Sequence, residues 1–73
     1  MPKLPRESSQ RRVVRAFIRA GGVEVPVQGK GSHRVVLMPN GEKINLPHLI
    51  KPGLLADMIK QSGLTLEEFL EHW

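Results

Sequence analysis

Apolar side chains first return at helical intervals. Val13, Val14, Phe17 and Ile18 make one stripe, while Arg12, Arg15 and Arg19 recur at the same spacing on another face. Ser8 or Ser9 stands where a side-chain oxygen caps a first turn, and Gly21-Gly22 breaks the repeat, so the pattern predicts a helix running to about Ala20. The period then falls to two. Val23, Val25 and Val27 alternate with Glu24 and Pro26 and predict a strand. Pro26 has no N–H for a ladder, which places that strand at an edge or gives it a bulge. Beyond the loop Gly29-Lys30-Gly31, residues 33–38 are rich in β-branched and apolar side chains and predict a central strand. Pro39-Asn40-Gly41 predicts a hairpin turn, because Asn-Gly accepts the positive φ that such turns require. Residues 42–46 predict the returning strand, closed by Pro47-His48.

Helical spacing then resumes. Lys51-Pro52-Gly53 opens a second helix, with Pro52 in the first turn where an N–H has no partner to lose. Leu54, Leu55, Met58 and Ile59 make its apolar face, and Gly63 stops it. Thr65-Leu66-Glu67-Glu68 has the spacing of a capping box and starts a last short helix with Leu66, Phe69, Leu70 and Trp73 as its apolar positions. The order α-β-β-β-α with a terminal helical turn or two predicts an α+β fold, a three-stranded antiparallel sheet with helices on one face. Residues 1–7, with two prolines, read as a flexible leader, and residues 8–73 as a single domain.

Composition narrows the function classes. A chain of 73 residues buries only about 60% of the surface it exposes unfolded, too little for a deep cofactor pocket. Cysteine is absent, which rules out disulfides and thiolate metal sites and fits a reducing compartment. No apolar stretch approaches a signal sequence or a membrane span, so a soluble cytoplasmic protein without membrane or cofactor partners is expected. Eleven Lys and Arg oppose seven Asp and Glu, for a net charge of +4. Glu67, Glu68 and Glu71 fall at the C-terminal end, so the rest of the chain is more basic than the sum, and a polyanion is a reasonable partner. Arg11, Arg12, Arg15 and Arg19 on one helix are suited to tracking phosphates, although a solvated helix face would carry the same residues. The aromatic residues read as core, which leaves base stacking without support.

Candidate chemistry centres on Gly31-Ser32-His33, just behind Lys30. An imidazole titrates near neutral pH and takes or gives a proton under cellular conditions. RNA carries its own nucleophile, the 2′-hydroxyl. Cleavage needs that hydroxyl deprotonated, the phosphorane's charge stabilised and the leaving 5′-oxygen protonated. Neutral His33 would serve as base or its imidazolium as acid, and a second group or water must do the other task. Lys30 suits the phosphate, and Gly29 and Gly31 let backbone N–H groups approach an anion, although the same tripeptide serves equally as a plain flexible loop. His48, after a proline at a strand end, is a possible second acid/base or a surface residue, and His72 reads as solvated. The three histidines have no ligand-like spacing, so no metal is expected.

These motifs carry a resemblance. The stretch from Gly31-Ser32-His33 through the hairpin, then Pro47-His48 and Lys51-Pro52-Gly53-Leu54-Leu55, resembles the HicA (YcfA-like) family of small mRNA interferase toxins. The first helix ending in glycine and the closing Gly63-Leu64-Thr65-Leu66-Glu67-Glu68-Phe69-Leu70 fit the same pattern, so the resemblance covers nearly all of the chain after the leader. It implies a double-stranded-RNA-binding-like fold and metal-independent cleavage of mRNA by the histidine of the Gly-Ser-His motif, here His33. It also implies neutralisation by a cognate HicB antitoxin. On this reading Lys30, Gly31, Ser32, Arg12, Arg15 and Arg19 contact RNA. The chain departs from the pattern at Val23, where an aromatic is usual, at Gln28 and Lys30, where an arginine is frequent, and at Pro47-His48 and Gly53-Leu54-Leu55, where Pro-x-His and Gly-Thr-Leu are frequent. The alternative is a non-catalytic RNA-binding module on the same scaffold, in which His33 has no special task.

Overall fold

In the computed structural model, which describes residues 4–6, 8–26 and 33–73, the caps read from sequence are in place. Ser9 precedes helix α1 (Gln10–Arg19), and its hydroxyl accepts the Arg12 N–H at 3.3 Å. Gly21 takes φ +108° directly after the helix, a conformation that L side chains rarely adopt. Three short strands follow, β2 (Val23–Val25), β3 (Arg34–Leu37) and β4 (Lys43–Leu46). They form one antiparallel sheet in the order β2-β3-β4, with Val36 opposite both Glu24 and Ile44. Val27 and the loop Gly29-Lys30-Gly31 lie outside the described residues.

The β3–β4 turn differs in detail from the expectation. Only Gly41 has positive φ, at +89°, and Asn40 does not. The Gly41 N–H donates to the Met38 carbonyl at 2.9 Å and the Met38 N–H to the Glu42 carbonyl at 2.8 Å. This is a three-residue loop with glycine in the left-handed position, not a two-residue turn with both central residues at positive φ. The Asn40 Oδ1 accepts the Glu42 N–H at 3.0 Å, the local side-chain bond that suits Asn to turns.

Two two-residue strands went unanticipated. The first, β1 (Ser8–Ser9), pairs antiparallel with β5 (Leu49–Ile50), so a residue expected only to cap a helix also closes a second small sheet. Helix α2 (Pro52–Ser62) starts with proline and ends at Gly63, whose φ is +84°. Helix α3 (Leu66–Glu71) has its capping box complete, with the Thr65 side chain accepting the Glu68 N–H and the Glu68 carboxylate accepting the Thr65 N–H. The Thr65 backbone N–H foremost, and the Thr65 side chain after it, hold the Glu68 carboxyl below the ordinary glutamate range. Because the folded value is depressed, this stabilisation is complete above the unfolded value and is lost as pH falls through the folded one. Helicity followed against acidic pH is therefore expected to show a loss at α3 that Glu68→Gln makes shallower.

Alternation sorts the sheet. Val36, Met38, Ile44 and Leu46 are buried under the helices with Val13, Val14, Ala16 and Phe17 of α1 and Leu55, Met58 and Ile59 of α2. Ile50 and Phe69 complete the core. Ile18 and Leu54, expected in the apolar stripes, are 42% and 41% exposed instead. At about 100° per residue, each sits at the far edge of an arc that Val13, Val14, Ala16 and Phe17, or Leu55, Met58 and Ile59, already fill. Gly22 marks the closest approach of helix and sheet. A Cβ there would stand 2.7 Å from Val36 Cγ1, 2.8 Å from Met38 Sδ and 2.9 Å from the Phe17 carbonyl oxygen. Gly22→Ala is expected to cost about 1–3 kcal/mol through overpacking, read as a lower urea midpoint at unchanged slope. No helix among the described residues is long and apolar enough to cross a membrane.

Candidate functional site

His33 is exposed and stands one residue before β3, beyond the last β3–β4 pair, Arg34 with Leu46. Continuing that register puts His33 beside Pro47 and next to His48, so both imidazoles belong to the same end of the sheet. His48 is exposed as well. Helix α1 is anchored at that end. The Gln10 side-chain amide donates to the Leu46 carbonyl at 2.9 Å, and the Gln10 N–H donates to the His48 carbonyl at 3.3 Å. Among the described residues neither imidazole has a hydrogen-bond partner. Lys30, Gly31 and Ser32, which precede His33 in the chain, lie outside the described residues.

The helix-one arginines form the second feature. Arg11, Arg12, Arg15 and Arg19 line a groove of about 350 Å³ together with Ser9 and Trp73. An adjoining cleft of about 420 Å³ extends it past Pro5 and Arg6. None of these arginines has an Asp or Glu side chain in ion-pairing range among the described residues, where the one side-chain ion pair joins Arg34 to Glu24 at 3.6 Å. Uncompensated guanidinium groups in a common groove create a positive field suited to a phosphate chain. Arg11 and Arg12 sit at the end of α1 that abuts Leu46 and His48. Arg19 lies two turns further, about 12 Å along the axis. The groove thus leads from the histidine end of the sheet along the outer side of the helix layer.

Arg12, Arg15 and Arg19 were legible as one face from their spacing. Trp73 was not, because its apolar spacing reads as core. It is half-buried, with its ring centroid 5.5 Å from that of Phe69 and the Arg12 guanidinium 4.1 Å from the centroid. Arg12 also donates to the Trp73 carbonyl at 3.4 Å. Stacking and this hydrogen bond tie Arg12 to the end of α3. Arg6, placed beside the groove by the chain's entry into β1, has no periodic signal that would have found it. His72 is half-buried at the end of α3 and lowers the Glu68 carboxyl slightly through its charge. Among the described residues, no three His, Cys, Asp or Glu side chains gather in a way that would hold a metal ion.

Comparison with known families gives a match. The sequence model of the family described as the HicA toxin of bacterial toxin-antitoxin systems matches residues 11–64, which include all of α1 but its first residue, the whole three-stranded sheet, both sheet-end histidines and α2. Among curated proteins none matches the chain.

Proposed function

The chain belongs to the HicA toxin family of bacterial toxin–antitoxin systems, and from that premise we propose that it is an endoribonuclease that cuts mRNA with His33 as the proton-exchanging group. The observation that carries this reading is the exposed, unpartnered imidazole of His33 at the sheet end where His48 and the arginine groove of α1 meet. RNA lies along Arg11, Arg12, Arg15 and Arg19 and reaches that end. Lys30, Gly31 and Ser32 are assigned the phosphate to be cut. The 2′-oxygen attacks the adjacent phosphorus as its proton is removed, and the bond from phosphorus to the 5′-oxygen breaks as that oxygen gains a proton. The products are a 2′,3′-cyclic phosphate and a 5′-hydroxyl. His33 makes one of the two proton transfers, and His48, or a water held there, makes the other. Cationic side chains spread over the phosphate stabilise the charge that builds on the phosphorane. A HicB-type antitoxin in the cytoplasm holds the activity in check.

The test is expression of the chain with and without its antitoxin. Growth arrest with fragmented transcripts, relieved by the antitoxin, supports the reading, and the purified chain should cut RNA in the presence of a chelator. Intact RNA under both conditions would leave only a binding module that uses the same groove. The groove's part is read separately through salt. Arg15→Ala and Arg19→Ala are each expected to lower the slope of log affinity against log salt by about 0.7 for single-stranded RNA, measured by fluorescence anisotropy.

A further inference from the structure

The face of the sheet turned away from the helices has the wrong composition for water. In an antiparallel sheet covered on one side, outward positions are normally polar. Cross-strand partners share a face, so the register puts Val23, Leu37 and Lys43 in one outward row and Val25, Val35 and Asn45 in the next. Four of these six positions are apolar. Val23 is 64% and Leu37 37% exposed, while Val25 and Val35 are partly exposed. The apolar surface continues past the hairpin end into a groove of about 370 Å³ lined by Gly21, Val23, Leu37, Met38, Pro39 and Gly41.

We infer that this open sheet face, and not the arginine groove, is where the antitoxin docks, through an apolar centre flanked by acidic side chains. Size supports the choice of a protein partner that reaches His33. Three strands about 4.8 Å apart and at most four residues long present no more than about 200 Å² in projection, whereas a stable interface takes about 800 Å² from each partner. A partner seated here must spread past the sheet's ends. One end is the Gly21–Pro39 groove. The other is His33, whose position in the alternation is that of Val35 and Leu37. Charge selects the occupant. The chain carries +4, and Lys43 stands in the outward row, so a second copy would meet its own charge while an acidic partner would be drawn in. The inference rests on the reading of His33 as the active group, since covering this face silences the toxin only if the face includes that group. It leaves the α1 arginines open to a polyanion while the toxin is bound.

The test is isothermal titration of the purified antitoxin encoded with this toxin into the wild-type chain and into Val23→Lys/Leu37→Glu. The double variant converts the outward row into Lys–Glu–Lys with Lys43, an opposite-charge ladder that the sheet tolerates. Val23→Thr alone, at an exposed edge position, is the conservative second variant. Binding is expected to weaken by about 30-fold or more in the double variant and by less in Val23→Thr. RNA cleavage by the free double variant should stay at the wild-type rate and no longer respond to antitoxin. Binding within threefold of wild type in the double variant overturns the inference, as does a loss seen only in Arg15→Glu/Arg19→Glu. A concentration-dependent dimer of the free chain that the double variant abolishes assigns the face to a second copy, and also overturns it. Absence of cleavage by the free wild-type chain fails the ribonuclease reading alone, because the titration still decides what the sheet face binds.

Discussion

His33→Ala is expected to lower the rate of RNA cleavage by about 10²–10⁴-fold, the usual contribution of a positioned acid or base, with affinity for uncut RNA unchanged. Binding should survive because the groups assigned to the phosphates, the arginines of α1 with Lys30, Gly31 and Ser32, do not include His33. The fold should survive too. His33 is exposed, precedes β3 and makes no hydrogen bond to any described residue, so its truncation leaves neither a cavity nor a buried polar group unsatisfied. His33→Gln keeps the size and hydrogen-bonding capacity of the ring without its titration and should be as inactive as His33→Ala. His48→Ala should fall between wild type and His33→Ala, because water can take over a proton transfer at an open sheet end. Single-turnover kinetics with a labelled transcript separates rate from affinity. A His33→Ala protein that loses binding together with cleavage would make His33 an RNA contact, and one that retains cleavage would remove it from the chemistry.

The second large effect is on stability. Phe17 is fully buried, its ring centroid is 5.2 Å from that of Phe69, and Phe69 in turn packs on Trp73. Phe17→Ala is expected to cost about 3–5 kcal/mol, the range for emptying a buried phenylalanine site. At about 0.05–0.15 kcal/mol per residue, a chain of this length has only about 4–11 kcal/mol in all, so the variant should be at the margin of folding. Its thermal midpoint should drop by about 15 °C or more. The chain has a single tryptophan, and its place against Phe69 makes its fluorescence a direct report of this packing during urea unfolding. Ile18→Ala is the contrast. That side chain is largely in water despite its place in the sequence stripe, and its loss should change stability by less than about 1 kcal/mol. Equal effects from the two substitutions would mean that the core is not the one described.

Most of the architecture was readable because each boundary carries a local chemical reason. Ser9 supplies an acceptor for an unpaired N–H, Gly63 occupies a left-handed φ, and Thr65 with Glu68 closes a box. The β1–β5 pair was not readable, since two residues per strand contain no period. It forms because the chain entering α1 passes beside the chain leaving His48. Periodicity also overstated the stripes at Ile18 and Leu54. It shows which residues are apolar but not which arc the fold covers, and Ala16, a weak signal, is buried while Ile18 is not. For the site, the arginine spacing on α1 and the position of His33 were visible in one dimension. That His33 and His48 fall at one end of the sheet depends on β3–β4 register, and the capture of Arg12 by Trp73 joins residues 61 positions apart. The apolar outer face was likewise hidden. Alternation showed apolar residues of both parities in β3, and only the helices decide which parity is core.

The decisive measurement is end-group analysis of RNA cut by the purified wild-type chain in the presence of a chelator, run beside His33→Ala. The expected result is 2′,3′-cyclic phosphate and 5′-hydroxyl ends from wild type and no comparable fragments from the variant. Fragments ending in 3′-hydroxyl and 5′-phosphate, or equal cleavage by the two proteins, would contradict proton transfer by His33 to and from the RNA's own hydroxyl.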